Sequence, residues 1–157
     1  VKRALIALAV VGLLGAAAFV GQGQVEAEVA RSLQTELIGV ELNAGPDGST
    51  VEAIVRITNG SRFAGSFESL AGDVVVGKVQ LPWTLSGLEP GAVIEPGAQR
   101  AITVSVPVDG PLLLQLGVGA VLRGGVELRF DGTLVVGVFG VLRVPVEVHD
   151  ARKFSLL

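Results

Sequence analysis

Hydrophobic and polar residues change rhythm twice along this chain. Ala4 to Gly21 reads ALIALAVVGLLGAAAFVG, an uncharged run directly behind Lys2 and Arg3. From Gln22 to Gln34 the apolar residues fall at every fourth position: Val25, Val29 and Leu33, continued by Leu37, with Glu26, Glu28 and Arg31 between them. From Glu36 onward the period drops to two. A period near 3.6 marks one face of a helix, and a period of two marks a half-buried strand. The pattern predicts an apolar helix over 1–21, a linker or helical stalk over 22–35, a β-domain over 36–150 and a tail over 151–157.

Within the β-domain, Ile38, Val40 and Leu42 are predicted to share one face of a strand over Glu36–Asn43. Gly45-Pro46-Asp47-Gly48 then supplies a turn. Thr50–Thr58 alternates again, with Val51, Ala53, Val55 and Ile57 inward, and ends at Asn59-Gly60-Ser61. These two strands form the clearest hairpin in the chain. A third strand is expected over Asp73–Leu81, broken at Gly77 and ended by Pro82-Trp83. Glu89-Pro90-Gly91 and Glu95-Pro96-Gly97 read as type II turns, because Gly supplies the positive φ that follows Pro. Ile102, Val104, Val106 and Val108 line one face of the next strand. Asp109-Gly110-Pro111 opens a short helix through about Leu122, since Pro suits a helix's first turn. Val126–Phe130 and Thr133–Val138 are expected to flank a turn at Asp131-Gly132, and Val141–His149 closes the domain. Pro107 and Pro145 suit sheet edges, or positions whose N–H is not in the ladder. The expected fold is mainly β: an antiparallel β-sandwich of about seven strands, immunoglobulin- or fibronectin-III-like, with one short helix.

At about 1.5 Å per residue the uncharged run reaches about 27 Å, close to the roughly 30 Å hydrocarbon core of a bilayer. Three readings compete. An uncleaved anchor would keep Lys2 and Arg3 cytoplasmic and place the β-domain outside the cell membrane in a single-pass topology. A secretory signal could be cleaved after Ala16-Ala17-Ala18. A pilin-like helix would pack into the core of an extracellular filament, and Arg3-Ala4-Leu5-Ile6 resembles the processing site ahead of archaeal pilin hydrophobic segments. In the membrane or in a filament the contacts would come from Leu5, Ile6, Leu8, Val11, Leu13, Leu14, Phe19 and Val20.

Composition narrows the function. The chain has no cysteine, so it can form neither a disulfide nor a thiolate metal site. Fifteen acidic residues stand against 12 basic ones with no basic run, so a nucleic-acid partner is not expected. His149, the single histidine, lies beside Asp150, but neighbouring strand residues point to opposite faces. The acidic residues match no calcium loop. Gly117, Gly119, Gly124 and Gly125 make no phosphate loop. No catalytic, metal or cofactor residue is assigned, and an enzyme is not expected. Asn59-Gly60-Ser61 also matches a glycosylation acceptor, against its plainer reading as a turn. Trp83 is expected to plug the core.

The order of these motifs over Glu36–Val148 resembles the late embryogenesis abundant type 2 family, the water-stress and hypersensitive-response domain. The resemblance runs through Val55-Arg56-Ile57-Thr58-Asn59-Gly60-Ser61, where Gly60 takes the place of the family's usual Pro. It continues through Asp73–Val79, through Glu95-Pro96-Gly97 with the strand Ile102–Val108, and through Leu112–Leu122 with Glu127–Leu134. It implies a non-enzymatic, stress-related β-sandwich, often membrane-anchored, with lipid or protein as partner. The rival expectation is a filament subunit that forms a homopolymer.

Overall fold

A computed structural model describes residues 18–123 and 125–154. Two antiparallel sheets carry the described chain. Helix α1 (residues 18–32) leads straight into β1 (Leu33–Gly45), followed by β2 (Gly48–Asn59), β3 (Gly65–Val76), β4 (Val79–Leu81), β5 (Thr84–Ser86), β6 (Val93–Ile94) and β7 (Gln99–Val108). Helix α2 (Gly110–Arg123), β8 (Val126–Val138) and β9 (Leu142–Phe154) complete it. One sheet has the order β1-β2-β7-β5 and the other β4-β3-β8-β9, with β6 on β3.

The alternation read from the sequence sets the core. Val51, Ala53, Val55 and Ile57 of β2 are buried, as are Ile102, Val104, Val106 and Val108 of β7. Each large aliphatic side chain withdrawn from water contributes about 1.5–3 kcal/mol. A one-residue slip would expose a whole row, so the register is firmly held. The first hairpin forms as read, with Gly45 opposite Gly48. Both Glu-Pro-Gly segments are type II turns. The N–H of Ala92 donates to Glu89 O and that of Ala98 to Glu95 O, with φ of 87° at Gly91 and 74° at Gly97. Asp109 caps α2, its Oδ1 accepting from Leu112 N at 2.8 Å. Pro145 lies in β9, an edge strand, and Pro107 lies beyond the last β5–β7 pair at Ser105.

Several expectations are corrected. Nine strands, not seven, lie among the described residues. The third strand begins at Gly65, not Asp73, and the break at Gly77 separates β3 from β4. Its first half escapes a period-two reading because the register shifts between Phe67 and Ser69. Ile38 does not lead the buried row of β1. A bulge between Leu37 and Gly39 puts Leu37 inward, and Val40 and Leu42 follow it. One inserted residue inverts the alternation on either side of it.

Asp131-Gly132 is not a turn but the middle of the 13-residue β8. A Cβ on Gly132 would meet Ala71 O and the Phe130 ring, so this glycine serves close approach of β3 and not chain reversal. The tail expected from 151 is strand as far as Phe154, which is buried. The four-residue period is helical only to residue 32, and Leu33 and Leu37 belong to β1. The helix is no free stalk: Val29 is buried in the core and Val25 packs on it. Leu5, Ile6, Leu8, Val11, Leu13 and Leu14 lie outside the described residues, and no described helix is long and apolar enough to cross a membrane.

Candidate functional site

Between the sheets the molecule is packed shut. The interior void lined by Leu37, Val55, Val104, Leu128 and Phe130 is about 10 Å³, at the lower limit for a single water. The larger hollows are open depressions on the surface. One of about 650 Å³ lies by the β1–β2 turn, Pro82, Pro107 and Leu112. Another of about 370 Å³ lies by α2 at Leu116, beside Lys78 and Lys153.

His149 stands on the outer face of the second sheet and is largely exposed. Its Nδ1 is 3.0 Å from Asp131 Oδ1, its cross-strand neighbour, and its Nε2 is 3.8 Å from Glu147 Oε2. Arg129 Nε holds the other oxygen of Asp131 at 3.0 Å. Thr133 Oγ1 donates to Glu147 Oε1 at 3.3 Å. The residues line neither depression described above. This arrangement is a ladder of cross-strand polar pairs, of the kind that stabilises an exposed sheet face. Asp150 points the other way, as alternation requires. Its Oδ2 accepts from Leu37 N while Arg152 Nη1 donates to Leu37 O at 2.9 Å. These two side chains bind the N–H and C=O of Leu37, beside the β1 bulge on an edge strand, and so tie the edges of the two sheets.

Asn59 organises one end of the sandwich. It is 1% exposed, and its Nδ2 donates to Phe63 O at 2.8 Å and to Ile94 O at 2.9 Å. Its Oδ1 accepts from Ser61 N at 3.1 Å and Ser61 Oγ at 2.7 Å. Its backbone accepts from Gly97 N and donates to Ala98 O. With both amide protons committed inside the protein, Asn59 is no glycan acceptor in the folded state; nor is the segment the hairpin turn expected, since it carries the chain from β2 in one sheet to β3 in the other. Gly60 N donates to Ser32 O, the end of α1, at 3.0 Å. A Pro there would lack that N–H, and any Cβ would sit 2.7 Å from the same oxygen. Glu28 adds an ion pair to Arg62 at 3.1 Å. Together these contacts fix α1 to this end of the sandwich.

The same end carries exposed apolar groups. Phe139 and Val141 stand at the β8–β9 tip, and Val93 lies in β6. Of the expected packing residues, Phe19 and Val20 fall in α1 at 78% and 59% exposure, with no burying contact inside the described chain. Trp83 is a half-buried plug: its ring meets Phe130 edge-on at 5.5 Å and its Nε1 donates to Gly72 O at 3.0 Å. The Asp150–Arg152 clamp and the apolar tip escaped sequence reading. At the tip only Gly140 carried a turn signal, because Phe139 is not a residue that the first central position of such a turn favours.

The chain matches no family model, and no curated protein matches it in sequence. Several solved structures align with it. A solution structure from Arabidopsis thaliana aligns with a TM-score of 0.54 at 14% identity, covering 78% of this chain and 80% of that one. A crystal structure from Archaeoglobus fulgidus aligns at 0.43 and 12% identity, over 79% and 100%. A solution structure described provisionally as a late embryogenesis abundant protein aligns at 0.40 and 10% identity, over 85% and 84%. The first of these establishes a common β-fold.

Proposed function

We propose that this chain is a non-enzymatic β-sandwich held at a membrane by its apolar N-terminal run, where it acts as a stress-related binding or protective module of the late embryogenesis abundant type 2 kind. The observation that carries the tether is α1. The chain is helical from residue 18, still inside the uncharged run, to residue 32, and Val29 and Gly60 lock that helix to the sandwich. A membrane segment so joined would hold the sandwich at the bilayer, not on a slack leash. The closed interior favours contact through the surface, with lipid or protein as partner, over enclosure of a lipid chain. The family reading rests on the ordered motifs from Glu36 to Val148, with which the shared β-fold agrees.

A second reading, a pilin-like filament subunit, draws on the same helix, since exposed Phe19 and Val20 would suit packing against neighbouring copies. Membrane fractionation with intact-mass measurement tests both. An intact N-terminus in the membrane fraction is the expected result. A mature N-terminus at Leu5 with polymers in micrographs would favour the filament. Full-length protein in the soluble fraction would overturn both readings.

A further inference from the structure

The β8–β9 hairpin ends in a turn whose sequence is wrong for its shape. Val141 N donates to Val138 O at 3.3 Å, and both central residues have positive φ, 56° at Phe139 and 69° at Gly140. That is the signature of a type I′ turn, which favours Asn or Asp at its first central position. Phe139 is the one non-glycine residue with positive φ among those described. A left-handed conformation is sterically disfavoured for a bulky residue. Burial does not repay this cost: the Phe139 ring touches Phe63 edge-on at 5.5 Å but is 65% exposed, and Val141 beside it is 80% exposed. Strain held at an exposed apolar residue points to a contact outside the described chain.

Phe63 lies in the loop that Asn59 organises, and Arg62 of the same loop pairs with Glu28 of α1. The tip therefore shares an end of the sandwich with the helix that emerges from the uncharged run. The β1–β2 turn lies at the opposite end of the 13-residue β1, about 40 Å away at the usual rise per residue. We propose that Phe139 and Val141 dip into the bilayer interface as a second, fold-borne membrane contact that sets the sandwich's orientation. The proposal builds on the membrane tether above. Aromatic and aliphatic side chains at the headgroup level are favoured there, and exposed Arg143 near the tip suits anionic headgroups.

The absence of cysteine makes site-directed spin labelling clean. The full chain is reconstituted in vesicles of phosphatidylcholine and phosphatidylglycerol and labelled singly after Leu8→Cys, Val141→Cys or Asp47→Cys. Relative accessibility to oxygen and to a water-soluble nickel complex then reports depth. The label at 141 is expected at the headgroup level, the label at 47 in water and the label at 8 in hydrocarbon. A label at 141 as water-exposed as that at 47 would overturn the tip contact. With 8 in hydrocarbon that result leaves the tether standing, whereas 8 in water removes the tether itself. Adding Phe139→Asn gives the turn its preferred residue, so the melting temperature should hold or rise while the label at 141 moves toward water. An unchanged depth in that variant would also count against the proposal.

Discussion

Replacing Asn59 tests whether the buried amide holds the α1 end of the sandwich together. Asn59→Asp keeps an oxygen for Ser61 but turns both donated bonds, to Phe63 O and Ile94 O, into oxygen facing oxygen. Each buried group left without its partner costs about 1–3 kcal/mol, so the loss is about 2–6 kcal/mol. A domain's whole stability is about 5–15 kcal/mol. At about 2–4 °C per kcal/mol the melting temperature should fall by roughly 10 °C at neutral pH. Burial and the two carbonyls push the new carboxyl's pKa up in the folded state. The folded protein then binds a proton more readily than the unfolded chain, whose Asp titrates near ~3.9. Stability therefore falls as pH rises from about 4 through the raised folded value, and part of the loss is recovered by acidification. Thermal unfolding followed by circular dichroism, on the full chain in detergent at neutral and mildly acidic pH, reads both effects. Asn43→Asp, at an exposed position of β1, is the control for charge alone. A neutral-pH shift within about 2 °C of the control, or a loss that does not shrink on acidification relative to the control, would refute the reasoning.

Other substitutions probe separate joints. Gly60→Pro removes the bond to Ser32 O and forces atoms against it, at about 2–4 kcal/mol; urea unfolding should show it, and an unchanged midpoint would mean α1 is not held there. Gly132→Ala should cost at least about 1–3 kcal/mol by overpacking against Phe130 and Ala71, read from the same unfolding curves. Asp109→Ala should cost about 1 kcal/mol through the lost cap of α2, read from the same denaturant curves. His149→Ala should change stability by less than about 0.5 kcal/mol, as an exposed substitution does, and should leave the cellular phenotype unaltered.

The legible parts of this fold were those decided locally. Strict alternation gave the faces of β2 and β7, and Pro-Gly pairs gave two turns, because one residue's conformational limits settle each. Asp109 and Pro111 marked the start of α2 for the same reason. What stayed hidden depends on distant partners. Asp131-Gly132 reads as a turn until Ala71 and Gly72 are known to lie against it. The bulges at Ile38 and Glu68 shift the alternation without any residue that announces them. Asn59 was visible as a turn residue, but its role as a buried hub needs Ile94, which only the fold brings close. The Phe139 tip was hidden for another reason: its residue opposes the local preference of its turn.

The central claim is a sandwich held at a membrane and facing outward, and topology in intact cells tests it most directly. Asp47→Cys reports on the exposed turn far from α1, and Lys2→Cys reports on the other side of the uncharged run. A membrane-impermeant thiol reagent should label position 47 in intact cells and position 2 only after permeabilisation, with the protein recovered in the membrane fraction. Labelling of position 47 only after lysis, on protein recovered in the supernatant, would contradict the account.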